Sequence, residues 1–169
     1  TFGGCDTVNM TPAVLKSIAM VYPEAIKHVI IGRGFRSTRK IEEIRDNKTR
    51  LVFYPGAESM KSFMFKSDIA VSAGGQTIYE LARTGTPSII ISVADNQLNE
   101  TKECERRGLI DYAGWYRDGE VFKRLSLFLN RLKSYKSRLK KIKACRKLID
   151  GHGPVRTVDF LINEASRLR

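Results

Sequence analysis

The chain has 169 residues, 42% of them hydrophobic, and a formal net charge of +12 from 30 Lys+Arg against 18 Asp+Glu. That is the size of one domain with room for a real core, and its apolar content excludes a disordered chain. No apolar run approaches membrane-spanning length, no secretory leader is visible, and Cys5, Cys104 and Cys145 lack the spacing of a disulfide framework or metal site, so a reducing cytoplasm is expected.

Thr1-Phe2-Gly3-Gly4 reads as the tail of a strand already under way, as in a piece cut from a larger protein at a domain boundary. Thr11-Pro12 predicts a helix start, with Thr11 as cap and Pro12 at the first helical position, and Pro23 ends that helix near Tyr22. His28-Val29-Ile30-Ile31 is a short buried strand closed by Gly32-Arg33-Gly34, and a helix over about residues 37–45 follows. Leu51-Val52-Phe53-Tyr54 is the next strand, and the helix after Pro55-Gly56 carries Met60, Phe63 and Met64 on one side. Ile69 to Ser72, Ser88 to Ile91 and Ile110 to Ala113 are further strands, separated by helices that stop at Gly85 and Gly108. Short, continuously apolar strands alternating with helices predict an α/β fold. The expected form is a Rossmann-like parallel sheet of about six strands with helices on both faces, over residues 1–116.

From residue 117 to 169 the pattern is helical and is expected to pack on the same domain. Phe122, Leu125, Leu129, Leu132, Tyr135, Leu139, Ile142, Cys145 and Ile149 form one stripe of a long or broken helix. Lys133, Lys136, Arg138, Lys140, Lys141, Lys143, Arg146 and Lys147 fill its other faces. They are either a solvated surface or a contact for anionic lipid or nucleic acid; lipid contact would make the protein peripheral to a membrane, and the alternative function is then a non-catalytic binding or scaffold domain whose basic helix meets an anionic membrane or a protein partner. A specific nucleic-acid partner is not expected, because no aromatic side chains interleave as stacking platforms. After the break at Asp150-Gly151-His152-Gly153, Pro154 opens a last helix with Val158, Leu161, Ile162 and Ala165 facing in.

The most informative stretch is Ser72-Ala73-Gly74-Gly75-Gln76-Thr77-Ile78-Tyr79-Glu80: strand, small-residue loop, helix. Two glycines let a backbone approach a ligand, and the first helical turn offers unpaired N–H groups at a positive dipole end. The same glycines would serve the turn geometry alone. Glu80 adds a second signal, since a carboxylate one turn past such a loop can reach the hydroxyls of a ribose whose phosphate the loop holds. In parallel sheets ligands sit at the carboxyl ends of the strands, which gathers Gly3-Gly4, Gly32-Gly34, Tyr54-Pro55, Gly74-Gly75 and Asp95-Asn96-Gln97 on one edge. Asp95 reads equally as a helix cap.

Taken together, Gly3-Gly4-Cys5-Asp6, the Ser72 to Glu80 loop, Gly85-Thr86-Pro87-Ser88-Ile89, Asp95-Asn96-Gln97 and Asp150-Gly151-His152-Gly153-Pro154 resemble the C-terminal half of a two-domain nucleotide-sugar enzyme of the GT-B type. The resemblance is closest to the pseudaminic-acid-pathway UDP-sugar hydrolases and their spore-coat polysaccharide relatives, and more distant to the peptidoglycan N-acetylglucosaminyltransferase. It implies a UDP-sugar as ligand, with Gly3 and Gly4 near the diphosphate and the N–H groups of Ser72, Ala73, Gly74, Gly75 and Gln76 on the phosphates. It places Glu80 on the ribose, Asn96 and Gln97 on the sugar or diphosphate, and Tyr54, with Met60, beside the uracil. The hydrolase family carries its base, a histidine, in the N-terminal half, so the resemblance implies that the same enzyme's N-terminal domain is the partner. It assigns no catalytic residue, metal or cofactor to this half, and His28 and His152 lack a triad partner.

Overall fold

The computed structural model describes residues 1–167. Strands β1 (Lys27–Ile31), β2 (Thr49–Phe53), β3 (Ala70–Ala73), β4 (Ser88–Ser92) and β5 (Asp111–Trp115) alternate with helices α1 (Met10–Val21), α2 (Arg39–Ile44), α3 (Ala57–Lys66), α4 (Thr77–Thr84) and α5 (Leu98–Arg106). Three more helices follow, α6 (Val121–Leu132), α7 (Tyr135–Leu148) and α8 (Gly153–Arg167). All strand pairs are parallel, with Val29 opposite Leu51, Val71 opposite Ile89 and Ile90 opposite Tyr112.

The expectation of one sheet of about six strands is corrected. The strands form a two-stranded sheet, β1-β2, and a three-stranded sheet, β3-β4-β5. The first residues leave the line of β3 at Gly3, which turns the backbone at φ 69°. Thr1 alone bonds to β3, and Gly4 O accepts from Gly34 N at 2.9 Å beyond the end of β1.

Helices cover both sheet faces, and β4 shows why its five residues are all apolar or small and buried. Ile89 and Ile91 face Met10, Val14, Leu125 and Leu129 of α1 and α6. Ile90, on the opposite side of the pleat, faces Ile78 and Ala82 of α4, Cys104 of α5 and Cys145 of α7. A third cluster joins Leu15, Val29, Ile31 and Ile41 over the smaller sheet.

The first helix begins differently from its sequence signal. Thr11 lies inside α1, and the carboxylate of Asp6 accepts from the N–H groups of Met10 at 2.8 Å and Thr11 at 2.9 Å. It satisfies two orphan donors from outside the helix. Asp6→Ala is expected to lower stability by about 1 kcal/mol, the usual worth of a capping side chain, and to drop the calorimetric Tm by ~2–4 °C. A Tm unchanged within 1 °C would mean that solvent replaces the carboxylate without loss.

The C-terminal stripe lies on α6 and α7, which break at Lys133-Ser134, where Ser134 caps α7. Of the basic residues beside it, Arg138 donates to Leu132 O, Lys141 to Ile110 O and Asp111, and Arg146 to Thr84 O. Val158, Leu161 and Ile162 of α8 do not face in, being exposed at 53%, 60% and 59%, and Ala165 is exposed as well. Periodicity identifies an apolar helix face; it does not identify what lies against that face.

Candidate functional site

The loops at the carboxyl ends of the strands meet in two groups. The first joins the turn at Gly3-Gly4 to the loops after β1 and β2. A Cβ on Gly32 would stand 2.3 Å from Gly4 O, so only glycine lets these two backbones touch. Tyr54, directly after β2, takes φ 50°, a left-handed conformation rare for an aromatic residue, and donates its N–H to Ile31 O at 2.9 Å. The phenol ring is left exposed, with the Arg33 guanidinium 5.6 Å from its centroid and Phe53 edge-on at 5.9 Å. Met60, on α3, lines a cavity together with residues of β1 and β3.

The second group is built on β3, β4 and α4. Ser72 and Ala73 belong to β3 and are buried. The N–H of Ala73 already donates to Thr1 O at 3.1 Å. Beyond them Gly74 packs so closely that a Cβ would stand 2.9 Å from both Gln97 Cβ and Thr101 Oγ1. Gly75 takes φ 101°, and α4 begins after Gln76 with no side-chain cap. The first-turn N–H groups of such a helix have no intrahelical acceptor, and its dipole adds positive potential. Glu80 lies in that first turn and is exposed.

Asp95, Asn96 and Gln97 form a 3-10 turn that runs into α5. Asp95 and Asn96 are exposed, and Asp95 caps neither this turn, which starts from Ala94, nor α5, which starts from Gln97. Gln97 is structural as well as near the loop: its Oε1 accepts from Val93 N at 2.9 Å and its carbonyl accepts from Thr101 Oγ1 at 2.6 Å. Thr101, fully buried, was not singled out by the sequence reading. The available signal was its spacing of one helical turn from Gln97, which sets both on one face against the Gly74 backbone.

The two groups connect through Thr1, which is bonded to β3 and continues into Gly3-Gly4. A basin of about 540 Å³ lies beside Gly3-Gly4, lined by Cys5, Asp6, Gly34, Arg36, Arg39 and Lys40 among others. His28 stands elsewhere, its ring 5.0 Å from Phe63, and burial, then Arg50, holds its pKa below the usual imidazole value. Tyr79 packs against the cluster around Ile90, and burial first, then a hydrogen bond with Glu100, pushes its phenol up to about 12. Among the described residues no group of three or more His, Cys, Asp or Glu could hold a metal ion, and no helix is long and apolar enough to cross a membrane.

The chain is 26% identical over 165 residues to the spore coat polysaccharide biosynthesis protein SpsG of Bacillus subtilis, covering 94% of this chain and 48% of that protein. It is 48% identical over 48 residues to the pseudaminic acid cytidylyltransferase and UDP-2,4-diacetamido-2,4,6-trideoxy-beta-L-altropyranose hydrolase of Helicobacter pylori, covering 28% of this chain and 9% of that protein. The chain thus spans about half, or less, of the curated relatives it matches. The model of the glycosyltransferase family 28 C-terminal domain matches residues 2–145, nearly the whole α/β unit, and the chain belongs to that family.

Proposed function

We propose that this chain is the UDP-sugar-binding half of a GT-B-type enzyme of cell-surface polysaccharide or nonulosonic acid biosynthesis, a UDP-sugar hydrolase or glycosyltransferase. The diphosphate lies on the backbone of Gly74, Gly75 and Gln76 and the first turn of α4, with Gly3 and Gly4 at its far side. Glu80 accepts hydrogen bonds from the ribose hydroxyls, Tyr54 stacks beside the uracil, and Asn96 with the free amide of Gln97 reaches the sugar or diphosphate. The observation that carries the reading is the loop itself, in which a glycine wedged against Gln97 and Thr101 and a second at φ 101° lead into an uncapped helix with an exposed glutamate in its first turn. The relatives' names support it, one specifying a UDP-sugar hydrolase and the other polysaccharide biosynthesis. Free Cys5, Cys104 and Cys145 fit a cytoplasmic setting.

A base from the enzyme's other domain would activate water in a hydrolase, or an acceptor hydroxyl in a transferase. This half holds the departing UDP: aligned N–H dipoles at the tip of α4 stabilise the negative charge that develops on its phosphate as the sugar bond breaks. No proton needs to move on this half, because a diphosphate leaves as an anion.

Titration with UDP in a calorimeter tests the reading. Saturable one-to-one binding is expected, weakened about tenfold or more by Glu80→Ala, in line with the ~1.5–3 kcal/mol of a hydrogen bond to a charged group. An absence of UDP binding together with salt-sensitive binding to anionic vesicles would transfer the function to the basic face of α7.

A further inference from the structure

β5 carries one extra residue beside β4. Ile90 stands opposite Tyr112, but Ile91 stands opposite Gly114 and Ser92 opposite Trp115. Such a bulge reverses which face the later side chains use, so Trp115 shares the face of Ser92. The bulge is braced on both sides. Gly114 takes φ 123°, Asp118 Oδ2 accepts from Trp115 N at 3.1 Å, and Arg124 Nη1 donates to Ala113 O at 3.3 Å.

The face so chosen leads back to the glycine loop after β3. Ser92 Oγ donates to Thr101 Oγ1 at 3.3 Å, Thr101 Oγ1 donates to Gln97 O at 2.6 Å, and the Gly74 backbone packs on both Gln97 and Thr101. In the order β3-β4-β5 the carboxyl end of β5 lies two strand spacings, ~10 Å, from that of β3. The turn carrying Asn96 and Gln97 follows β4, midway between the two ends.

Trp115 is also a large ring that the core does not claim. Its neighbours Tyr112 and Tyr116 pack on the clusters around Ile90 and Ile91, whereas Trp115, half-buried, packs on neither. The Tyr116 ring supports it from the side, at 4.8 Å between centroids and a tilt of 59°. Arg117 in turn covers Tyr116, its guanidinium 5.1 Å from that centroid.

We infer that Trp115 is the platform for the sugar ring of the bound nucleotide sugar. The inference rests on the UDP-sugar reading and extends that site by one strand, to β5. With the diphosphate at the end of β3, the sugar passes over the end of β4 and reaches the indole. A pyranose ring has a face of C–H groups, which gains dispersion contact with an aromatic ring while its hydroxyls stay free for Asn96 and water. Trp115 therefore lets this half tell a UDP-sugar from UDP.

Trp115 is the single tryptophan of the chain, so its emission reports on this position alone. The chain is titrated with UDP and with UDP-N-acetylglucosamine, and heat and tryptophan emission are followed together. The sugar nucleotide is expected to bind about tenfold more tightly than UDP, and to change the emission saturably where UDP leaves it nearly unchanged. Trp115→Ala is expected to remove that margin without altering the affinity for UDP, and Trp115→Phe to keep most of it. If Trp115→Ala does not fold, the emission of the parent and the margin of Trp115→Phe decide. Equal affinity for the two ligands, an emission response no larger than that to UDP, or a margin that survives Trp115→Ala overturns the inference and leaves the UDP reading standing. Binding of neither ligand overturns both.

Discussion

Gly74→Val is expected to abolish saturable UDP binding, lowering affinity at least a hundredfold, while the protein remains folded. The first added carbon would already stand 2.9 Å from Gln97 Cβ and Thr101 Oγ1. Thr101 is fully buried and holds Gln97 O at 2.6 Å, so this neighbour has nowhere to retreat. The loop must therefore move outward, carrying the Gly75 and Gln76 N–H groups off their aim. Overpacking of this kind costs about 1–3 kcal/mol, a fall of roughly 2–12 °C in Tm at this size. Calorimetry with UDP and a thermal scan read the two effects separately. Retained affinity together with a lowered Tm would show that Gly74 serves packing alone.

The second large effect lies behind the site. Asp111 opens β5 and is 5% exposed, with Lys141 of α7 at 2.5 Å and Arg131 of α6 at 2.6 Å. Lys141 is itself 15% exposed and also donates to Ile110 O at 3.0 Å. Arg131, half exposed, is screened by water and contributes little. Asp111→Ala leaves the Lys141 ammonium with only a carbonyl for company, and breaking a buried pair in this way costs about 3–5 kcal/mol. The Tm is expected to fall on the order of 10 °C, and the urea midpoint with it. Asp111→Leu combined with Lys141→Met removes both charges and is expected to recover most of the loss. A single-variant Tm within 2 °C of the parent would sink the account.

Much of this was legible in the residues. β4 was visible as Ser88 to Ile91 because a strand covered on both faces is apolar at every position, and the loop after β3 because glycines there precede a helical period. The hidden parts depend on partners far away in the chain. Lys141 sits in a run of lysines that reads as a wetted surface, and only the fold brings it to Asp111, thirty residues earlier. Asp6 lies four residues before Met10, too far for a simple cap pattern, and it reaches the start of α1 across a left-handed Asn9, which a one-dimensional pattern does not display. The division of the sheet was equally invisible, since strand count says nothing about which edges meet.

The outward apolar face of α8 sets how this chain behaves in concentrated solution. Val155, Val158, Leu161 and Ile162 are each more than half exposed on a molecule carrying a net charge of +12. At low ionic strength mutual repulsion holds such molecules apart. Once added electrolyte shortens the Debye length to a few ångströms, contact between these greasy helices is opposed by little, and colloidal stability declines as salt rises.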